Sequence, residues 1–170
     1  GVGNYVPKVV YGFNLGLNYK NFDISADFQG VGGNKIYNLR RVNRFSNENY
    51  DVDFYNNSWH GEGTSNTYPS ADVAGGLNNY PNSFFIESGS YFRIRNVQLG
   101  YTLPSELIKK AGISKLRVYV TAQNLATIFK YNGYTPEIPN GTDINSTNMG
   151  MDEGIYPLSR TLNFGVNVNF

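Results

Sequence analysis

"TLNFGVNVNF", residues 161–170, repeats with a period of two. Leu162, Phe164, Val166, Val168 and Phe170 fall on one side, and Thr161, Asn163, Gly165, Asn167 and Asn169 on the other. Successive side chains of a β-strand point to opposite faces, so this is a strand with one apolar and one polar face. Two architectures accept it. An antiparallel sandwich buries the apolar face in a core, whereas a membrane barrel turns it toward lipid and keeps the polar face for a lumen. The rest of the chain has to choose.

The same alternation returns upstream. Tyr11, Phe13, Leu15, Leu17 and Tyr19 alternate with Gly12, Asn14, Gly16 and Asn18, and Phe22, Ile24, Ala26 and Phe28 resume the apolar side after a short turn at Lys20 and Asn21. In "SYFRIRNVQLGYTLP" the parity changes near Arg95–Asn96, the mark of a β-bulge. Ser105 is placed to cap a short helical turn that Gly112 ends. "LRVYVTAQNL" then puts Leu116, Val118, Val120 and Ala122 on one face. The reading is all-β, with strands near 9–19, 22–30, 90–101, 115–124 and 161–170. Their links run short, long (31–89), medium and long (125–159). Barrels of the outer membrane alternate in this way, with brief periplasmic turns and extended outer loops. Tyr11, Tyr19, Tyr101 and Phe170 stand near strand ends, where aromatic girdles belong.

Composition narrows the function classes. The 170 residues include 19 Gly, 14 Tyr and 11 Phe, with 16% charged residues and a net charge of +1. Nothing there calls for a nucleic-acid partner, which needs clustered cations. No apolar run is long enough for a membrane helix, but barrel strands escape that criterion. "GVGNYVPKVV" carries no charged-then-apolar leader. Cysteine is absent and His60 is the single histidine, so a conventional zinc site or a serine–histidine nucleophile lacks its parts. The chain reads as a non-enzyme. Asp51 with Asp53, and Asp152 with Glu153, are carboxylate pairs of the kind that ligate calcium. Neither has the dense spacing of a calcium loop, and both read as solvated carboxylates. No cofactor is assigned.

Residues 90–138, "SYFRIRNVQLGYTLPSELIKKAGISKLRVYVTAQNLATIFKYNGYTPEI", carry several features in a fixed order. Phe92 precedes Arg93 and Arg95. Leu99-Gly100-Tyr101-Thr102-Leu103-Pro104 comes next, then Tyr119 with Gln123-Asn124-Leu125, then Gly133-Tyr134 before Pro136-Glu137. The tail adds Tyr156-Pro157, Arg160-Thr161 and Phe170. This combination resembles the C-terminal region of SusC/RagA-type TonB-dependent outer-membrane transporters. Trp59 and Tyr68-Pro69 also match a stretch common in that family, although Ser58 and His60 replace its arginine and threonine. The resemblance implies the last five strands of a transmembrane barrel of about 22 strands, on a polypeptide that also holds an N-terminal plug and a TonB box. It implies import of glycans or oligopeptides, typically in Bacteroidetes, with a SusD-like surface lipoprotein as lid and TonB as energy source. Residues 1–170 are then a C-terminal fragment of the barrel domain, in contact with outer-membrane lipid. A soluble secreted β-sandwich that binds carbohydrate is the alternative.

Four aromatic residues are candidates for contact with substrate or partner: Trp59, Tyr131, Tyr134 and Tyr156. Flat amphipathic rings serve recognition and packing alike, and both roles stay open. Arg93, Arg95 and Arg117 interrupt or flank apolar strands, so they are expected on the lumen side with acidic partners. The resemblance makes Phe170 the terminal aromatic signal read by the barrel-assembly machinery.

Overall fold

The computed structural model describes residues 3–42, 52–71, 82–138 and 148–170. Parts of both long links (43–51, 72–81 and 139–147) lie outside the described residues, and Asp51 with them. The chain divides into two compact units. One is a sheet built from Lys8–Gly32, Ser90–Phe129 and Leu158–Phe170; the other gathers Gly1–Pro7, Gly33–Gly89 and Lys130–Pro157.

The sheet unit has five antiparallel strands in the order β1-β2-β5-β6-β7. They are β1 (Val9–Tyr19), β2 (Phe22–Gly32), β5 (Tyr91–Thr102), β6 (Lys115–Phe129) and β7 (Thr161–Asn169). The register keeps all the apolar rows on one face. Leu17 faces Ile24, which faces Leu99, which faces Val120, which faces Phe164. Phe13 stacks on its register partner Phe28, and Phe28 on Phe92 diagonally across to β5, with centroids 4.5 Å and 5.9 Å apart. Cross-strand aromatic pairs of this kind fix register as well as adding contact.

The parity change at Arg95 is a bulge. Asp27 pairs with Asn96 and Phe28 with Ile94, so Arg95 has no partner in the ladder. On the other side, β6 answers with Asn124 and Leu125 opposite that single residue. Asn124 takes a left-handed φ of 51°, which asparagine tolerates better than most residues. Its side-chain amide donates to Ser159 O at 3.1 Å. The bulge absorbs the interruption, and β6 runs on to Phe129 instead of ending at Asn124. At Lys20, φ of 54° closes the tight β1–β2 turn.

Between β5 and β6 lies a short helical turn, α2 (Ser105–Ile108), continued by a 3-10 turn over Lys109–Ala111. Gly112 ends it with a left-handed φ of 71°. Ser105 is not the cap that its sequence position suggests: Pro104 occupies the cap and offers no side-chain acceptor. Helix entry is set by proline geometry at that point.

The second unit is more ordered than its composition suggests. It holds β3 (Lys35–Tyr37), paired antiparallel with β4 (Ile86–Ser88), and the helix α1 (Val52–Asn57). Residues 150–152 join β3 as a parallel neighbour: Tyr37 N donates to Gly150 O, and Asp152 N donates to Tyr37 O, both at 2.9 Å. Phe54 and Phe85 are buried, with Tyr37, Val42, Tyr68 and Phe84 packed against them. These rings are scattered without period in the sequence, which is why no pattern exposes the unit.

Candidate functional site

Two surfaces carry chemistry. One is the polar face of the five-stranded sheet; the other is a network of buried polar groups in the second unit.

On the polar face, Arg117 of β6 reaches Asp23 of β2 across the intervening strand β5. Its Nε donates to Asp23 Oδ1 at 2.9 Å, and Nη2 to Oδ2. The bridge passes over Gly100, whose register partners are Asp23 on one side and Tyr119 on the other. A Cβ at Gly100 would collide with Arg117 Nη2 and both Asp23 oxygens. Glycine is required here because two side chains meet above it. Further along, Asn14 Nδ2 donates to Asp27 Oδ1 at 2.6 Å, Asn96 donates to Asp27 Oδ2 at 3.4 Å, and Thr121 bonds Gln98 at 3.3 Å. The face is built of amides, hydroxyls and a neutralised ion pair.

The opposite face is uncovered. Leu17 is 57% exposed and Phe164 82%, and Phe13, Leu15, Leu162 and Val166 are likewise exposed. Apolar surface on this scale does not face water in a soluble monomer. Among the described residues the only other sheet has two strands of three residues each, too small to be the second layer of a sandwich. The described residues therefore hold no second layer of a sandwich. No helix among the described residues is long and apolar enough to cross a membrane.

Polar face, uncovered apolar face and strand order together call for comparison with known proteins. No protein-family model matches the chain. TonB-dependent receptor P26 of Formosa agariphila is 33% identical across 99% of the chain, and TonB-dependent receptor SusC of Bacteroides thetaiotaomicron is 31% identical across 95%. The RagAB peptide importer, in its closed-closed state, superposes on 98% of the chain with a TM-score of 0.74 at 25% identity. The chain is homologous to the SusC/RagA TonB-dependent receptors. It spans 18% of the length of P26, 15% of SusC and 18% of the matched RagAB chain.

Within the sheet unit the arginines divide. Arg93 and Arg117 share the polar face by register; Arg93 is buried, donates from Nε to Thr127 Oγ1 at 3.1 Å and lies over the Tyr91 ring. Arg95, in the bulge, is exposed and lines a hollow with Asn14, Asp27 and Gln29. Phe170 follows β7 and is fully open.

The aromatic candidates separate as well. Trp59 is about half exposed, and its backbone N–H donates to Pro69 O at 3.1 Å. Tyr134 is 56% exposed and Tyr156 86%. Tyr131 is buried, so its ring is not a contact surface. Its hydroxyl donates to Asp152 Oδ2 at 2.5 Å. Burial first, and then Asp152, push this phenol far above the ordinary tyrosine value.

Asp152 is not a solvated carboxylate. It is 1% exposed, and Oδ1 accepts the backbone N–H of Gly154 at 2.8 Å and of Ile155 at 3.1 Å. Nearby, Glu87 accepts from Asn38 Nδ2 at 3.0 Å, from Arg41 Nη1 at 3.4 Å and from Asn132 N at 2.8 Å. Asp53 accepts the Tyr68 hydroxyl at 2.6 Å. Asp53, Glu87 and Asp152 are thus engaged by protein donors, and among the described residues no group of three or more metal-ligating side chains converges. Sequence reasoning passed over Asp23 and Glu87, met Gly100 only inside a family motif, and took Asp152 for a solvated carboxylate. Only the Asp152-Glu153-Gly154 turn carried a local signal, and it reads equally well as a loop.

Proposed function

We propose that this chain is wall and outer-loop structure of a TonB-dependent outer-membrane importer, working by binding and gated translocation without covalent chemistry. The observation that carries the reading is the five-stranded antiparallel sheet with one uncovered apolar face and one hydrogen-bonded polar face. At about 3.3 Å per residue and a tilt near 45°, strands of 11 residues cover about 25 Å, the height of a barrel's apolar band. The apolar side faces lipid in this reading, and the side bearing Arg93, Arg117 and, by its bulge, Arg95 faces the lumen or the plug. The remaining strands belong to the same polypeptide and complete a barrel of about 22, since β1 and β7 end the sheet with open ladders that lipid cannot satisfy.

By register, the long segments join the strands at one end of the sheet and the turns at 20–21 and 103–114 at the other. The long segments are extracellular in this reading. They meet a SusD-like lipoprotein lid, with Trp59, Tyr134 and Tyr156 as contact residues, and Phe170 enters the assembly machinery. The substrate is a glycan or an oligopeptide. The RagAB neighbour is a peptide importer, which keeps the second class in view. The test is uptake of labelled oligomers by cells carrying the full-length receptor. It should stop when TonB is deleted, and the receptor should fractionate with the outer membrane. TonB-independent uptake, or a receptor in the soluble fraction, overturns the proposal.

A further inference from the structure

Among the described residues, the second unit contains a cation without a counter-ion. The Arg40 guanidinium sits 4.0 Å from the centroid of the Tyr134 ring. Its stem rests on the backbone of Gly154, where an added Cβ would lie 3.6 Å from Arg40 Cγ and Cδ. Gly154 has φ of +108°, a conformation closed to most side chains. The Arg40 backbone N–H is fixed as well, donating to Asp152 O at 3.2 Å. Stem, backbone and head are all held.

Among the described residues the Arg40 side chain forms no ion pair and donates no hydrogen bond. Two described acids of the same unit are already engaged. Asp152 takes the Tyr131 hydroxyl and two backbone N–H groups, and Glu87 takes Asn38, Arg41 and Asn132. A guanidinium whose Cζ lies over a ring still has N–H donors to offer at its edge. That is the geometry which grips a carboxylate with two parallel hydrogen bonds. Tyr134, half exposed beside it, offers a flat flank to whatever carries the carboxylate.

We propose that Arg40, braced by Tyr134 and Gly154, receives a carboxylate of the transported oligomer: the uronate of an acidic glycan or the free C-terminus of a peptide. Transport of that oligomer rests on the importer reading above; the binding site does not. The test is calorimetric titration of the purified full-length receptor with trigalacturonate against neutral galactotriose, and with tetra-alanine against its C-terminal amide. One acidic probe should bind at least about tenfold more tightly than its neutral counterpart, and which one does so names the source. Arg40→Gln should erase that preference and Arg40→Lys most of it. If Arg40→Gln does not assemble, Arg40→Lys carries the test. Equal binding of acidic and neutral probes by the unaltered receptor overturns the proposal. So does a preference that survives loss of the guanidinium, or loss of lipoprotein capture alone, which would give the carboxylate to the lid. Acid-selective binding by a receptor whose uptake ignores TonB would sink the importer reading and leave this site standing.

Discussion

Gly100 shows how much one missing side chain can organise. Because it presents no Cβ, Arg117 and Asp23 join strands that are not neighbours, across 94 residues of chain. Gly100→Ala should displace flexible side-chain ends and leave the backbone in place, costing about 1 kcal/mol, the scale of a partly exposed ion pair. Thermal unfolding of the full-length receptor reads this, and the cost should shrink when Asp23→Asn is already present. An equal cost in both backgrounds would mean that the glycine serves the backbone instead. Tyr131 behaves differently. Its phenol is held above the ordinary value near 10, so the stability it contributes is complete below that value and is lost as pH rises toward the folded one. Above pH ~10, phenolate absorbance of the folded receptor should therefore match that of Tyr131→Phe, because Tyr131 stays protonated. Tyr131→Phe also strips Asp152 of a donor, with a local cost of about 2 kcal/mol. Faster amide exchange at residues 150–155 would report it.

At the scale of elements, β7 tests the two-faced strand most directly. Phe164 lies on the uncovered face opposite Val120, and Asn163 on the polar face opposite Thr121. A charge on the lipid side of a barrel costs about 2–4 kcal/mol at mid-depth and far less on the lumen side. Phe164→Arg should therefore abolish or sharply reduce heat-modifiable barrel in outer-membrane extracts, while Asn163→Arg assembles normally. Equal tolerance would mean that the apolar face is not against lipid. Strand alternation was legible because a period of two is written locally, residue by residue. Even the bulge left a mark, the parity switch at Arg95. The continuation of β6 past Asn124 was not legible, since it depends on a left-handed asparagine and on a partner strand 32 to 38 residues away. The order within 33–89 was hidden for a related reason. Strands of three residues and a helix of six are too short to establish any period.

For the molecule as a whole, the sheet has two open edges, which invite pairing with other chains, and a bare apolar face, which water does not suit. The 170-residue chain expressed alone should aggregate unless detergent or lipid is supplied, and the full-length receptor should be extracted only with detergent. A monomeric, folded chain in plain buffer would contradict the membrane reading. The sequence by itself determined the two-faced alternation of the five long strands and the family resemblance. Each of these is a local period or an ordered set of short motifs, carried by the chain without reference to its fold. Tertiary structure alone decided the pairings between distant residues. It set Arg117 on Asp23 over Gly100, it turned Asp152 from a solvent-facing acid into a buried acceptor, and it buried Tyr131 while leaving Tyr134 open beside Arg40. The physical reason is that burial and charge pairing depend on which segments meet in space, and no spacing along this chain encodes that meeting.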